Sequence, residues 1–221
     1  MFKIIYAEKR RPELSFTTFV RRWRQHAGLA MQDAPFWNPM ALYIQNDALR
    51  GIPGTDQAYD GVGELFYPTL LDLNASLASP GLVPIMADGD EFFSRVDQIH
   101  MVVDQRPLRT GHCAGFKVFI FARAPQGGGR ADFADHCADR TETLLRGQGE
   151  FARSARQVTI GQGATQHDPY DLVCDATFDS TEAARLGNAE WLGALRVDGL
   201  AADGVAIAAR SYVLYDAPYA T

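Results

Sequence analysis

The chain has 221 residues, enough for one large domain or two small ones of roughly 100–150 residues each. Hydrophobic residues make up 47% and charged residues 22%, a globular balance with apolar side chains enough for a sizeable core. The formal net charge of −6 argues against general nucleic-acid binding, which needs clustered Lys and Arg, and no apolar run reaches the roughly 18 residues that span a bilayer.

The N-terminus, MFKIIYAEKRR, places its charges after a short apolar run, the reverse of a signal peptide. Cys113, Cys137 and Cys174 are isolated, so free thiols in a reducing cytoplasm are the expectation. Residues 2–8 read as a strand. Ser15 is an N-cap, and Phe16, Phe19, Val20, Trp23, Ala27, Ala30 and Met31 follow at helical spacing until Pro35 and Pro39. Strands MALYIQN (40–46) and DGVGELFY (60–67) come next, then helical stretches at about 69–78 and 88–95, and a closing strand at 96–104. The basic clusters Lys9–Arg11 and Arg21, Arg22, Arg24 read as a solvated loop and helix face before an anion site.

The same order returns. FKIIY (2–6) reappears as FKVFI (116–120), 114 residues on, and Phe19 falls on Phe133 at that spacing. YDGVGELF (59–66) matches YDLVCDAT (170–177), and IHMVVDQ (99–105) matches RSYVLYD (210–216), both 111 residues on. The second half then carries helices at about 130–147 and 180–195 and strands near 155–161, 170–177 and 205–215. The expectation is an α+β chain of two ferredoxin-like βαββαβ repeats, 1–106 and 115–221, joined through RPLRTGHCA. Each antiparallel sheet carries helices on one face only, so two facing sheets closing a barrel within one chain would cover the other face.

The words KIIYAEKRRPELSFTTF, W-RQHA (Trp23–Ala27), ALYIQN (41–46), DGVGELF (60–66) and DGDEFF (88–93) make the first half resemble the EthD family of dimeric α+β barrels. The second half keeps the skeleton and loses the wording: Arg140 stands at the position of His26, Cys137 at Trp23 and Asp175 at Glu64. The resemblance implies a pocket between sheet and helices for a cyclic or aromatic substrate. The wider superfamily includes cofactor-independent monooxygenases, cyclases, decarboxylases, dehydratases and isomerases, among which fold alone does not choose.

His26 lies three residues from Trp23 and seven from Phe19, so it projects with the apolar stripe and could exchange a proton near neutral pH; a half-buried His bonded to a backbone carbonyl is the competing reading. Glu64 shares a strand face with Val62 and Phe66, as a general acid or base or as a structural ion pair with Lys3 or Lys9. Tyr43 could donate a hydrogen bond to a developing oxyanion, or be core. Trp23, Trp37, Phe36 and Phe66 could wall a flat substrate, or simply pack. His100 could face either side of its strand, with Ser211 at the matching position.

No P-loop, GxSxG elbow or HExxH is present, and the Asp135–His136 and His167–Asp168 pairs lack metal-ligand spacing, so neither cofactor nor metal is implied. The function expected is cofactor-independent acid–base catalysis on a small cyclic or aromatic apolar ligand, of lyase, cyclase, dehydratase, isomerase or monooxygenase type. The alternative is a noncatalytic protein that holds a hydrophobic metabolite for a partner oxygenase. No nucleic-acid or membrane partner is expected; the pseudo-dimer should be monomeric, with a further homodimer left open.

Overall fold

Apolar alternation along the first strand sets the architecture: Lys3, Ile5 and Ala7 are buried on one face, whereas Ile4 and Tyr6 turn to the other. The computed structural model describes residues 1–165, 167–197 and 204–217. In chain order these form β1 (Phe2–Arg10), α1 (Phe16–Ala30), α2 (Ala34–Trp37), β2 (Leu42–Ala48), β3 (Gly61–Tyr67), α3 (Leu70–Leu77), α4 (Leu82–Asp90) and β4 (Phe93–Arg109). They continue as β5 (Gly115–Ala122), α5 (Arg130–Arg146), α6 (Glu150–Ser154), β6 (Ala155–Gly163), β7 (Leu172–Phe178), α7 (Thr181–Val197) and β8 (Val205–Asp216).

The eight strands close into one antiparallel barrel in the order β1-β3-β2-β8-β5-β7-β6-β4. Each half contributes four adjacent strands, and the closing pairs β2–β8 and β4–β6 join one half to the other. One layer of core lies inside the barrel, including Ile5, Val62, Met101, Val103, Phe119, Phe121 and Ile207. The helices lie outside and bury the opposite strand faces.

Ser15 does cap α1: its side chain accepts from the Thr18 amide, and Phe19, Trp23, Ala27 and Ala30 form the buried stripe. The short helices α2 and α6 were not expected. The helix anticipated at 88–95 is displaced, because α4 ends at Asp90 and Phe93 already pairs with Arg10 of β1. The closing strand is also longer than 96–104. Its outer end follows β1 past a bulge at which Asp97 takes a positive φ of 55°, and its inner end runs on to Arg109 along β6.

The two halves differ where they cover their sheets. The second uses the single 17-residue helix α7, with Trp191, Leu192 and Leu195 buried against Phe151 and Phe178. In the first, the corresponding length is broken at Ser79-Pro80-Gly81 into α3 and α4, bent by 72°. Ser79 donates to Asp33 at 2.5 Å, tying the break to the start of α2. No single helix among the described residues is long and apolar enough to cross a membrane.

Candidate active site

The break between α3 and α4 leaves a cavity of about 340 Å³ between those helices, α1, α2 and the outer face of the first-half sheet. That lies in the lower range of small-molecule pockets. Its walls are mainly apolar, with Ile4, Phe36, Trp37, Leu65, Ile85 and Phe93 among them, and its polar groups are His26, Tyr6, Tyr43, Glu8, His100 and Arg95.

His26 is brought to this cavity by α1. Its Nδ1 lies 2.8 Å from Oδ2 of Asp88 on α4, and Arg22, one turn back on α1, donates to the other oxygen at 2.9 Å. A neutral imidazole bonded to a carboxylate through Nδ1 carries its proton there and leaves the Nε2 lone pair as the acceptor. Burial lowers the His26 pKa below its ordinary 6.5 against the opposing pull of Asp88. For Asp88, burial raises the pKa, but the hydrogen bonds from Arg22 and His26 outweigh it and the net direction is down.

Tyr43 also lines the cavity, with its hydroxyl 3.0 Å from that of Tyr6. Phe36 and Trp37 line it as expected, and Trp37 packs edge-on against Tyr43 and against Tyr215 of β8, 4.9 Å between ring centroids in the latter pair. Trp23 does not reach the cavity surface. It is buried behind Tyr6 and Phe93.

Glu64 and Phe66 fall elsewhere. Strand alternation puts Gly61, Gly63 and Leu65 toward the helices, and therefore Val62, Glu64 and Phe66 inside the barrel. There Glu64 meets Lys3 at 3.1 Å and Lys117 at 2.6 Å, and Asp175 meets Lys3 at 2.9 Å. The expected convergence of His26, Tyr43 and Glu64 is thus not formed, since the sheet separates the carboxylate from the other two. Of the two lysines considered as its partner, Lys3 is the one engaged; Lys9 pairs with Asp97 at the surface.

Three cavity residues carried a weak sequence signal or none. Tyr6 stands in the FKIIY segment of β1, and Glu8 follows two residues on along the same face. His100 stacks on the Tyr6 ring at 5.5 Å, and its Nε2 lies 2.8 Å from Glu8. Its supposed counterpart Ser211 is not equivalent by register. His100 pairs with Tyr6, whereas Ile120, 114 residues beyond Tyr6, pairs with Ala206. The spacing between these two strands is therefore 106 residues and not 111, and a slip of five also reverses the face.

The glycines of DGVGELF give the rings their room. A Cβ at Gly61 would come within 2.3 Å of the Trp23 ring, and one at Gly63 within 2.0 Å of the Tyr6 ring. Gly63→Ala should therefore displace Tyr6 and cost about 1–3 kcal/mol of stability by overpacking, read as a lowered urea midpoint. A neutral result would mean that the Tyr6 ring is not held against this strand.

The described residues thus form an antiparallel α+β barrel with a histidine-bearing cavity under the helices of its first half. Residues 11–95 match the family model described as the EthD domain. Nothing among curated proteins matches the chain.

Solved structures resemble it over nearly its whole length. An anthrone oxidase-like protein has a TM-score of 0.63 at 11% identity, covering 100% of this chain and 96% of its own. A proposed monooxygenase from Lactobacillus acidophilus has a TM-score of 0.59 at 10% identity, covering 96% and 94%. A heme-binding protein from Thermus thermophilus has a TM-score of 0.55 at 11% identity, covering 95% and 90%. At such identities the likeness is one of fold.

Proposed function

We propose that the protein is an enzyme that removes a proton from a cyclic, largely apolar substrate held in the first-half cavity, with His26 as the base. The observation that carries this reading is the imidazole pinned through Nδ1 by Asp88 at 2.8 Å on the wall of an apolar cavity. Its lowered pKa keeps it neutral, and so able to accept a proton, across the physiological range.

The carbanion or enolate so formed has several fates. It can be reprotonated elsewhere, expel a leaving group, attack a second carbonyl or react with dioxygen. The relatives described as anthrone oxidase-like and as a proposed monooxygenase support the last of these. The reading calls for no group beyond the protein's own side chains. A porphyrin is a poor fit to this cavity, whose volume of about 340 Å³ lies at the small end of ligand pockets. Arg95, the one basic residue of the described lining able to meet a propionate, is already paired with Asp90.

The alternative, a noncatalytic carrier, gains from Glu64 being sealed inside the barrel, away from any ligand. The matching strand order of the halves supports the finer architectural reading, a tandem fusion of two βαββαβ units that closes the barrel in cis.

Anthrone offered in deuterium oxide tests the proposal. Exchange at its ring methylene should run faster with protein than in buffer, followed by NMR under argon, with oxygen uptake recorded separately in air. Saturable binding without faster exchange would favour the carrier. Neither binding nor exchange, for anthrone or for a panel of phenols, lactones and ring ketones, would remove the catalytic reading.

A further inference from the structure

The polar groups of the cavity are arranged as a directed chain. Gln45, on the helix-facing side of β2, has its amide oxygen bound by the guanidinium of Arg24, and its Nε2 donates to the Trp23 carbonyl at 3.1 Å and to the Tyr43 hydroxyl at 2.7 Å. With a cation on the oxygen and a carbonyl on the nitrogen, the amide orientation is fixed and both its protons are spent. Tyr43 therefore accepts from Gln45 and has its own proton for the Tyr6 hydroxyl, 3.0 Å away. Tyr6 then accepts from Tyr43 and keeps a proton for which the described residues supply no acceptor.

A second observation points the same way. The indole N–H of Trp23 is buried beside the two tyrosine hydroxyls with no well-formed hydrogen bond among the described residues, and it favours negative charge on both of them. Burial nevertheless pushes both hydroxyls above their ordinary range, so each stays a protonated donor at neutral pH. The Tyr6 ring is held against Gly63 on one side and stacked by His100, itself fixed by Glu8, on another.

We infer that the Tyr6 hydroxyl, polarised through Arg24, Gln45 and Tyr43, is the oxygen-binding group of the cavity, and that the substrate class is a cyclic ketone or phenol bound through that oxygen. A chain of donors that begins at a guanidinium and ends on a hydroxyl strengthens at its free end, and most of all toward an oxyanion. Tyr6 and His26 both abut the Phe93 ring, with centroids 6.4 Å and 6.1 Å from it, so a flat ring over Phe93 can meet one group with its oxygen and the other with its acidic hydrogen. Gln45 and Arg24 are positioning residues in this scheme. They polarise Tyr43 and do not line the cavity.

This inference rests on the cavity proposed above as the ligand site, and 4-nitrophenol, whose anion absorbs apart from the neutral phenol, separates the two. The wild type should bind it as the phenolate, with an apparent pKa below that in buffer. Tyr6→Phe, which keeps the ring and its packing, should weaken phenolate binding about tenfold and return the spectral titration toward that of free phenol. Gln45→Met should move the titration in the same direction by less. If the wild type binds and Trp37→Ala weakens binding while Tyr6→Phe does not, the oxygen site is wrong and the cavity stands. If the wild type neither binds 4-nitrophenol nor is stabilised by it in a thermal melt, the oxygen-site inference falls, while the catalytic reading is decided by anthrone exchange and the ligand panel above.

Discussion

Lys3→Met should lower the free energy of unfolding at neutral pH by about 3–5 kcal/mol, because it strands carboxylates inside the barrel without their partner. Lys3 sits between Glu64 at 3.1 Å and Asp175 at 2.9 Å, while Lys117 holds Glu64 at 2.6 Å and lies 4.0 Å from Asp175. All four side chains are at most 3% exposed. The remaining carboxylate valences are met by Asn46 on Glu64 and Thr159 on Asp175, and Ser211 in turn donates to Asn46. Two cations and two anions balance, so the cluster offsets its own desolvation only while complete.

Lys3→Met combined with Glu64→Leu should cost less than Lys3→Met alone, since one charge of each sign then remains. Urea denaturation of the four members of that cycle, with unchanged m-values, would measure the coupling. A Lys3→Met cost below about 1 kcal/mol would show that water or another group solvates the cluster.

The pH dependence follows from the same contacts. Burial lowers the Lys3 pKa, but Asp175 and Glu64 outweigh it and the net direction is up. Its contribution is therefore fully present below the unfolded lysine value of about 10.4 and is lost as pH rises through the higher folded value. For Asp175, burial raises the pKa, and Lys3 and Lys117 with the Lys3 and Thr159 hydrogen bonds outweigh it, so the net direction is down. Its contribution is present above the unfolded value of about 3.9 and is lost as pH falls through the lower folded one. The cluster should thus give a plateau between these limits.

This cluster also shows what the sequence conveys and what it hides. Lys3 and Lys117 are the second letters of FKIIY and FKVFI, and Glu64 and Asp175 occupy matching places in YDGVGELF and YDLVCDAT, so all four positions are visible in the similar words of the two halves. Their pairing is not, since barrel closure joins Lys3 to a carboxylate 172 residues away. Helical spacing placed His26 with Trp23 and Phe19 correctly, because a helix face is a local property. It could not place Asp88, which reaches His26 only through the bend after Pro80. His100 was obscured for a related reason. Residue likeness aligned β4 with β8 five positions away from the hydrogen-bonded register, and so concealed which face His100 occupies.

His26→Ala should reduce proton abstraction from the ring substrate by about 10²–10⁴-fold, the range that a positioned base supplies. The rate in the wild type should rise with pH through an apparent pKa below 6.5 and then stay level, since burial holds the folded imidazole neutral down to lower pH. Asp88→Asn keeps the imidazole but removes the group that raises its proton affinity and fixes its tautomer, so the rising limb should move to still lower pH while the plateau falls. That split separates the two roles. Loss of the base abolishes the limb, whereas loss of its anchor shifts it.

Stability carries the same signature. Because the folded pKa is depressed, the unfolded chain binds more protons below about pH 6.5, and the wild type should lose stability as pH falls from there through the folded value. His26→Ala should flatten that window. A rate profile with the same limb in wild type and His26→Ala, with both proteins folded by near-UV circular dichroism, would assign the proton transfer to another group. His100, across the Tyr6 ring and held by Glu8, would then be the residue to replace next.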